Sequence, residues 1–135
     1  MSRVIPDSVY LWIAVASAFG GVARYWCQGF MARHAGDTFP WGTMAVNIRG
    51  CTFIGFFATL TGPEGRTLVP STVRQFVMVG ICGGCTTFSS FSWEALNLAR
   101  DRDWSRAAGY IMGSLVVCLI GVWLGYVLAT ALNER

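Results

Sequence analysis

Four long apolar segments limit what this sequence can fold into. They cover about residues 9–31, 41–60, 71–99 and 107–132, and each has at least the ~20 residues that a helix needs to cross a bilayer. The connections between them are short and carry three of the four prolines and most of the charges, so they leave no room for a soluble domain. We therefore predict an all-α integral membrane protein in which residues 1–135 form a single four-helix membrane domain.

The composition agrees with a membrane protein and excludes one class of partner. The chain is 54% hydrophobic and only 13% charged, which is far from the balance of soluble domains. Its cationic residues are all arginines, and they form no basic tract of the kind that binds nucleic acid. We expect a lipid bilayer around the protein and no nucleic acid partner.

The arginines outside the interior of the spans are divided equally between the two sides of the predicted membrane. With four spans, both termini share a side with Arg66 and Arg74. The two groups are Arg3, Arg66, Arg74 and Arg135 on one side, and Arg33, Arg100, Arg102 and Arg106 on the other. The positive-inside rule therefore favours neither orientation. A chain without this bias can insert both ways, which is consistent with a dimer of oppositely oriented subunits.

The third segment contains a stretch that is a poor helix former. Gly83 and Gly84 are followed by threonines, serines and phenylalanines up to Ser92. Adjacent glycines, β-branched residues and hydroxyl side chains all weaken a helix, so we predict that the third helix breaks here. Carbonyl groups freed at membrane depth persist only where protein or a water-filled cavity satisfies them, which favours an ion or substrate site.

Three polar side chains within the spans each allow two interpretations. Arg24 either extends to the membrane interface or faces the bundle and sets an electropositive field for an anion. Asn47 either joins helices or lines a wet path. Glu94 is either an ion-pair partner, with Arg24 and Arg49 as candidates, or a proton carrier.

Two further spacings have a structural explanation beside a functional one. Phe88 and Phe91 share a helix face, and they are either core or a pair of rings whose positive edges can face a small anion. Gly121 and Gly125 have the G-x-x-x-G spacing, which lets helices approach closely.

The five cysteines are distributed over the apolar segments. None lies in a polar connection, so we interpret them as buried thiols rather than a disulfide framework. Cys82 and Cys85 have the C-x-x-C spacing of redox and metal sites. They lack a βαβ context, a second cysteine pair and a nearby histidine, so packing is the favoured interpretation.

The polar residues of the spans do not resemble the machinery of an enzyme. The only histidine, His34, lies in a connection, no carboxylate pair sits in a span, and no phosphate-binding glycine loop of the P-loop pattern occurs. The remaining donors are neutral: Thr43, Asn47, Thr87, Ser89, Ser92, Tyr110 and Ser114. Such donors can replace the hydration shell of a small anion, whereas a ring of carboxylates would favour cations. Because four short helices enclose little space, we predict an oligomer.

The stretch GGCTTFSSFSWE at 83–94 resembles the third-helix signature of the CrcB/Fluc fluoride channels. GVAR at 21–24, WGT at 41–43, and Val46, Asn47 and Gly50 resemble the family's marks in the first two helices. The resemblance implies a fluoride-selective channel that exports fluoride passively and relieves fluoride toxicity. It further implies an antiparallel dual-topology homodimer with two pores and a structural sodium ion, in the cell (inner) membrane.

The resemblance also implies roles for individual residues. Asn47 would be the polar residue of the pore, with Phe88 and Phe91 as its aromatic rings. Gly83 and Thr86 would offer main-chain carbonyls to sodium. The remaining positions that match are Thr43, Thr87, Ser90, Tyr110 and Ser114 along the fluoride path, with Arg24 and Glu94 as electrostatic support.

Two positions depart from the family pattern. Arg49 stands where the family usually has a small or apolar residue, which alters the electrostatics of the second helix. Cys118 stands where a hydroxyl would be usual, which weakens one contact in the implied pore.

Two other classes of function stay open at this point. A proton-coupled exporter of the small multidrug resistance type shares four helices and dual topology, but its essential glutamate is expected in the first helix, and Glu94 is the nearest substitute here. A non-transporting assembly subunit would leave the helix break without a purpose.

Overall fold

A computed structural model describes residues 7–134, which fold into helices and contain no strand. The two longest helices are α1 and α6, at either end of the described chain. The elements in order are α1 (Asp7–Ala35), α2 (Trp41–Leu60), α3 (Ser71–Gln75), a π-helical segment (Phe76–Cys82), α4 (Gly83–Cys85), α5 (Phe88–Arg100) and α6 (Trp104–Asn133). The prediction of an all-α protein is confirmed for this part of the chain.

Three of the four predicted spans are long and apolar enough to cross a membrane. They are Trp41–Leu60, Ser71–Arg100 and Trp104–Asn133. The first predicted span corresponds to α1, which has 29 residues and is therefore long enough, but it is less apolar because it carries Arg24 and Gln28. That α1 also crosses the membrane stays a prediction. The predictions for Arg3 and Arg135 lie outside the described residues.

The third segment changes its backbone conformation several times. It begins as α3 after Pro70, continues as the π-helical segment, and returns to α-helical geometry at Gly83. Thr86 and Thr87 are extended, with φ/ψ of −79°/156° and −153°/120°. α5 then begins at Phe88, where the Thr87 hydroxyl accepts the N–H of Ser90 and caps the helix. The two extended threonines therefore separate α4 from α5.

Small residues bring α1 close to the third segment. The backbone of Ser17 lies against Gly84, so that a Cβ at Gly84 would come within 2.6 Å of the Ser17 carbonyl oxygen. Gly20 in turn lies against the backbone of Ile81 and Cys85. Only hydrogen atoms separate the two backbones at Gly20 and Gly84, so α1 and the third segment approach closely there.

α2 packs along α6 through glycines on both helices. A Cβ at Gly55 would collide with the Val122 carbonyl oxygen, and a Cβ at Gly125 would collide with the Thr52 carbonyl oxygen and lie 2.7 Å from the Phe56 nitrogen. The Gly121 and Gly125 spacing thus has the structural explanation proposed for it, since it allows the two helices to approach closely.

Gly125→Ala is expected to lower the free energy of unfolding by about 1–3 kcal/mol, because the added methyl group must push α2 and α6 apart. The matched control is Gly109→Ala on the same helix, where an added Cβ meets nothing within 4 Å. That variant is expected to be as stable as the parent or slightly more stable, because alanine is the better helix former. Unfolding in detergent micelles, followed by circular dichroism, measures both changes. Equal stability of the two variants would contradict the packing described here.

The single chain leaves much apolar surface uncovered. Its core cluster is Phe91, Ala95 and Tyr110, whereas large apolar side chains such as Phe19 and Leu119 are 70% exposed. Apolar surface of this extent requires cover by lipid or by another protein surface. The fold therefore agrees with a membrane protein.

Candidate functional site

Residues from α2, α6 and the third segment enclose a cavity of about 360 Å³ beside the extended threonines. We call it the inner cavity. Most of the residues singled out from the sequence line it: Asn47, Gly83, Thr86, Thr87, Phe88, Phe91 and Ser114. The fold thus brings together residues that are up to 67 positions apart in the sequence, as between Asn47 and Ser114.

Asn47 binds the backbone of Thr87 with both ends of its side-chain amide. Its Oδ1 accepts the Thr87 N–H at 2.8 Å, and its Nδ2 donates to the Thr87 carbonyl oxygen at 3.1 Å. An amide carries its acceptor and its donor on two separate atoms, so it can satisfy the N–H and the C=O of one extended residue at the same time, whereas an ionised carboxylate can only accept. Asn47 therefore stabilises the point where the third segment leaves its helix.

The extended threonines also deprive two carbonyl groups of their helical donors. In an uninterrupted α-helix, the Gly83 C=O would accept the N–H of Thr87, and the Thr86 C=O would accept the N–H of Ser90. The Thr87 N–H instead donates to Asn47, and the Ser90 N–H donates to the Thr87 hydroxyl at 3.1 Å. Gly83 and Thr86 both line the inner cavity. Main-chain oxygens without helical donors are a donor set that hard cations accept.

A second cavity, of about 730 Å³, lies beside Thr43, Ser90 and Glu94. We call it the outer cavity. Glu94 accepts hydrogen bonds at both carboxylate oxygens, from the Thr43 hydroxyl at 2.7 Å and from the Tyr110 hydroxyl at 2.7 Å. Gln28 Nε2 donates to the Thr43 oxygen at 2.8 Å, which leaves the single Thr43 proton free to point at Glu94. The site therefore holds its carboxylate with neutral donors.

Two contacts connect the inner and outer cavities. Tyr110, which is fully buried, bonds Glu94 with its hydroxyl and packs its ring 5.0 Å from the ring of Phe91. The Thr87 hydroxyl donates to the Ser90 hydroxyl at 3.2 Å. Phe91 and Thr87 line the inner cavity, while Ser90 and Glu94 line the outer one. Neutral hydroxyl groups therefore lie along the boundary between the two cavities.

The two phenylalanines of the third segment differ in burial. Their ring centroids are 5.5 Å apart, so they share a face as predicted. Phe91 is 8% exposed and belongs to the core cluster, whereas Phe88 is 75% exposed in the single chain. Phe91 thus fits both the core and the path interpretation, while Phe88 cannot be a core residue of one chain.

The charged residues do not pair as the sequence suggested. Arg24 is half-buried on the bundle-facing side of α1, near Cys85, and Arg49 is exposed on α2. Among the described residues the only ion pair joins Arg106 to Asp103. Of the two interpretations of Glu94, the ion pair with Arg24 or Arg49 is therefore not formed within one chain, because the hydroxyls of Thr43 and Tyr110 donate to the carboxylate instead.

Ser114 is the one buried hydroxyl of the inner cavity without a partner. Its side chain is 5% exposed, and its Oγ has no hydrogen bond among the described residues. A buried hydroxyl without a partner costs free energy unless a ligand or water satisfies it. The position assigned to Ser114 from the sequence is therefore one that can accept a small polar ligand.

Sequence reasoning missed two features of the site. Gln28 received no role from the sequence, because its partner Thr43 lies 15 residues away. The capping role of Thr87 had a local signal, since a threonine three residues before Ser90 has the spacing of a helix N-cap.

An all-α chain with membrane-length apolar helices and hydroxyl-lined cavities at an interruption of one of them is a membrane protein with a site for a small polar solute or ion. Comparison with known proteins gives the family. The model described as "CrcB-like protein, Camphor Resistance (CrcB)" matches residues 11–126, and the chain belongs to this family.

Its relatives have a consistent name. A protein of Opitutus terrae is 59% identical over 127 residues, which cover 94% of this chain and 96% of the relative. Relatives from Methylocella silvestris and Rhodospirillum rubrum are 54% and 53% identical over 93% of this chain and 95% and 97% of their own lengths. All three are named "Fluoride-specific ion channel FluC".

Proposed function

We propose that this protein is a fluoride-specific ion channel, which lets fluoride leave the cell passively and relieves fluoride toxicity without catalysing a reaction. The observation that carries the proposal is the series of neutral donors, from Asn47 through Thr87 and Ser90 to Tyr110, where the third segment leaves its helix. The names of the relatives point to the same ion.

The chemistry of fluoride fits these donors. Fluoride is small and strongly hydrated, so a path must offer close hydrogen-bond donors to offset dehydration, and each must bind weakly enough for the ion to leave. The inner cavity offers Asn47, Ser114 and the edges of Phe88 and Phe91, while the outer cavity offers Ser90. Thr43 also lines the outer cavity and contributes by holding Glu94 in place, because its single proton points at that carboxylate. Fluoride passes between the cavities beside Thr87 and Tyr110.

Fluoride efflux from liposomes that contain only the purified protein tests the function. Potassium fluoride is trapped inside, valinomycin balances the charge, no proton gradient is applied, and a fluoride electrode records the release. If the protein is a fluoride-specific channel, liposomes loaded with fluoride release it at once. Liposomes that contain the same protein but are loaded with chloride retain their chloride. Release that requires a proton gradient would favour the exporter hypothesis with Glu94 as proton carrier, and no release of any kind would favour an assembly subunit.

The active unit is a homodimer of oppositely oriented four-helix subunits, each with a broken third helix, in the cell (inner) membrane. Three observations support this arrangement. The arginines are balanced between the two sides, Gly83 and Phe88 lie exposed on the surface of the single chain, and the carbonyl group of Gly83 lacks its helical donor at membrane depth. A second copy would cover this face, since lipid cannot satisfy such a carbonyl.

Lysines added to one connection are expected to trap the chain in one orientation and to remove most fluoride efflux. They make one side of the protein more basic than the other, and the positive-inside rule then favours the orientation that puts this side in the cytoplasm. One variant carries three lysines beside Asp37 and the other carries three beside Glu64, on the opposite side. Reporter fusions at the termini measure orientation.

Co-expression of the two lysine variants provides the control, because opposed chains can again form dimers. Efflux is then expected to return to a large part of the parent value. Full efflux from either variant alone, in a single measured orientation, would contradict the dual-topology dimer.

A structural sodium ion belongs to the same proposal. Gly83 and Thr86 would hold it with their main-chain oxygens, which lack helical donors, and the ion would stabilise the contact between the two subunits. Thr86 would contribute its main-chain oxygen, while its side-chain hydroxyl donates to the Cys82 carbonyl oxygen at 2.9 Å.

Sodium is expected to raise the thermal stability of the purified dimer, because a ligand that binds only the folded state shifts the unfolding equilibrium. Potassium at the same concentration is not expected to do so. Thr86→Val should retain the sodium-dependent stabilisation, because it leaves the main-chain oxygen in place. Thermal unfolding followed by gel filtration measures the effect. Loss of the sodium effect in Thr86→Val would show that the side chain is the ligand and would contradict the assignment.

A further inference from the structure

The inner cavity has a second chemical character, because sulfur atoms line one part of it. Cys51 from α2, Cys118 from α6, and Met78 and Cys82 from the π-helical segment all contribute to its wall. Cys51 follows Asn47 by one helical turn, and Cys118 follows Ser114 by one helical turn, so each thiol lies on the same helix face as a polar residue of the cavity. The sulfur atoms are therefore one turn away from the polar groups.

Cys51 and Cys118 face each other across the contact between α2 and α6. Both thiols line the inner cavity, Cys51 from α2 and Cys118 from α6, where they are close enough to interact, and both are free thiols. The two helices cannot separate easily at this level, because a Cβ at Gly121 would already lie 2.8 Å from Thr52 Oγ1. The packing of the helices therefore holds the two thiols together.

These thiols contribute little to the passage of fluoride, because an S–H group is a weak hydrogen-bond donor. They are much better ligands for soft metal ions, which prefer thiolate and thioether sulfur over oxygen. No group of three or more histidine, cysteine or acidic side chains is arranged to hold a metal ion among residues 7–134. Two thiols are fewer ligands than a four-ligand zinc site needs, whereas a soft d¹⁰ ion can be held by two sulfur ligands.

We propose that Cys51 and Cys118 form a two-thiolate site for a soft d¹⁰ metal ion, such as mercury(II) or silver(I), with the Met78 thioether beside it. Binding of one mercury(II) ion forms two metal–sulfur bonds and releases the two thiol protons, with no change of oxidation state. The buried hydroxyl of Ser114, which has no partner, lies one turn from Cys118 on the same cavity wall. This part of the cavity thus already has room and an unsatisfied group for a ligand.

A metal ion in this site would occupy the inner cavity between Asn47 and Phe91 and would stop the passage of fluoride. This consequence rests on the proposed channel function, while the binding of the metal does not. Fluoride channels of this chain are therefore expected to be blocked by soft metals and to be restored by a dithiol that removes them.

Mercuric chloride is the probe for the site. The purified protein is treated with one equivalent per chain, challenged with a hundredfold excess of glutathione, separated by gel filtration, and analysed for bound mercury. A bridging ion resists a competing monothiol, whereas mercury on a single thiol is removed. The parent protein is expected to retain about one mercury per chain, and Cys51→Ser and Cys118→Ser are each expected to retain at least tenfold less. Cys118→Ala repeats the test if the serine variant is not recovered as a folded protein.

The matched control is the double variant Cys27→Ser/Cys85→Ser, which removes two thiols, on α1 and α4, that do not line the inner cavity. It is expected to retain mercury like the parent, and so is Cys82→Ser. Equal retention by the parent and by both single variants, or no retention by the parent, would overturn the proposal. In liposomes, one equivalent of mercury should reduce fluoride efflux at least tenfold in the parent but not in Cys51→Ser. If the untreated parent releases no fluoride, the channel function fails while the retention measurement still decides the metal site.

Discussion

Replacing Asn47 by aspartate is expected to abolish fluoride efflux, with a loss of more than about a hundredfold. The carboxylate would place an oxygen where Nδ2 now donates to the Thr87 carbonyl oxygen at 3.1 Å, so that two acceptors face each other and Thr87 loses its donor. Leaving such a buried group without its partner costs about 1–3 kcal/mol. A negative charge at this depth in a membrane costs about 2.5–3.5 kcal/mol and also repels an incoming anion. Each ~1.4 kcal/mol added to a barrier slows the passage tenfold.

Asn47→Ser is a milder change at the same position, and its efflux is compared with that of Asn47→Asp. Serine is too short to reach both the N–H and the C=O of Thr87, but it adds no charge and keeps one hydroxyl donor in the cavity. Efflux is therefore expected to fall less than in the aspartate variant. Fluoride efflux from liposomes is the measurement, and gel filtration shows whether the dimer survives. Efflux from a folded Asn47→Asp dimer within about twofold of the parent would remove Asn47 from the path.

The sequence predicted the elements of this fold better than their contacts. α2 has the predicted bounds, because Pro40 precedes its start and a polar connection follows its end. The predicted weak stretch after Gly83 contains Thr86 and Thr87, which the structure has in extended conformation. Local chemistry accounts for both results, since propensity and hydropathy act on neighbouring residues.

The partners of Glu94 could not be predicted in this way. Its two donors, Thr43 and Tyr110, lie 51 and 16 residues away in the sequence, and nothing in the local pattern links them. Charge complementarity suggested the arginines instead. That ion pair is not formed within one chain, because a hydroxyl can satisfy a carboxylate oxygen without the cost of burying a second charge.

The last prediction concerns the aromatic rings. Phe88→Ile is expected to reduce fluoride efflux at least tenfold while the protein still folds and forms dimers. Isoleucine keeps an apolar side chain but removes the ring, whose positive edge can face fluoride. Phe88 gives the cleaner test, because it is 75% exposed in the single chain and its loss leaves the core of that chain intact. Phe91→Ile should reduce efflux as well, but the Phe91 ring centroid lies 5.0 Å from that of Tyr110, so that variant also loses core stability through the volume it leaves unfilled.

Phe19→Ile is the matched control for Phe88→Ile, because it makes the same chemical change on α1 at a phenylalanine that is 70% exposed and lines neither cavity. It is expected to conduct fluoride like the parent. Efflux from liposomes compares the three proteins, and gel filtration identifies any variant that fails to form dimers. If folded Phe88→Ile and Phe91→Ile both conduct as fast as Phe19→Ile, the rings make no contact with fluoride that matters for its passage. They would then serve only to pack the third segment against α6 and to cover the surface around Gly83.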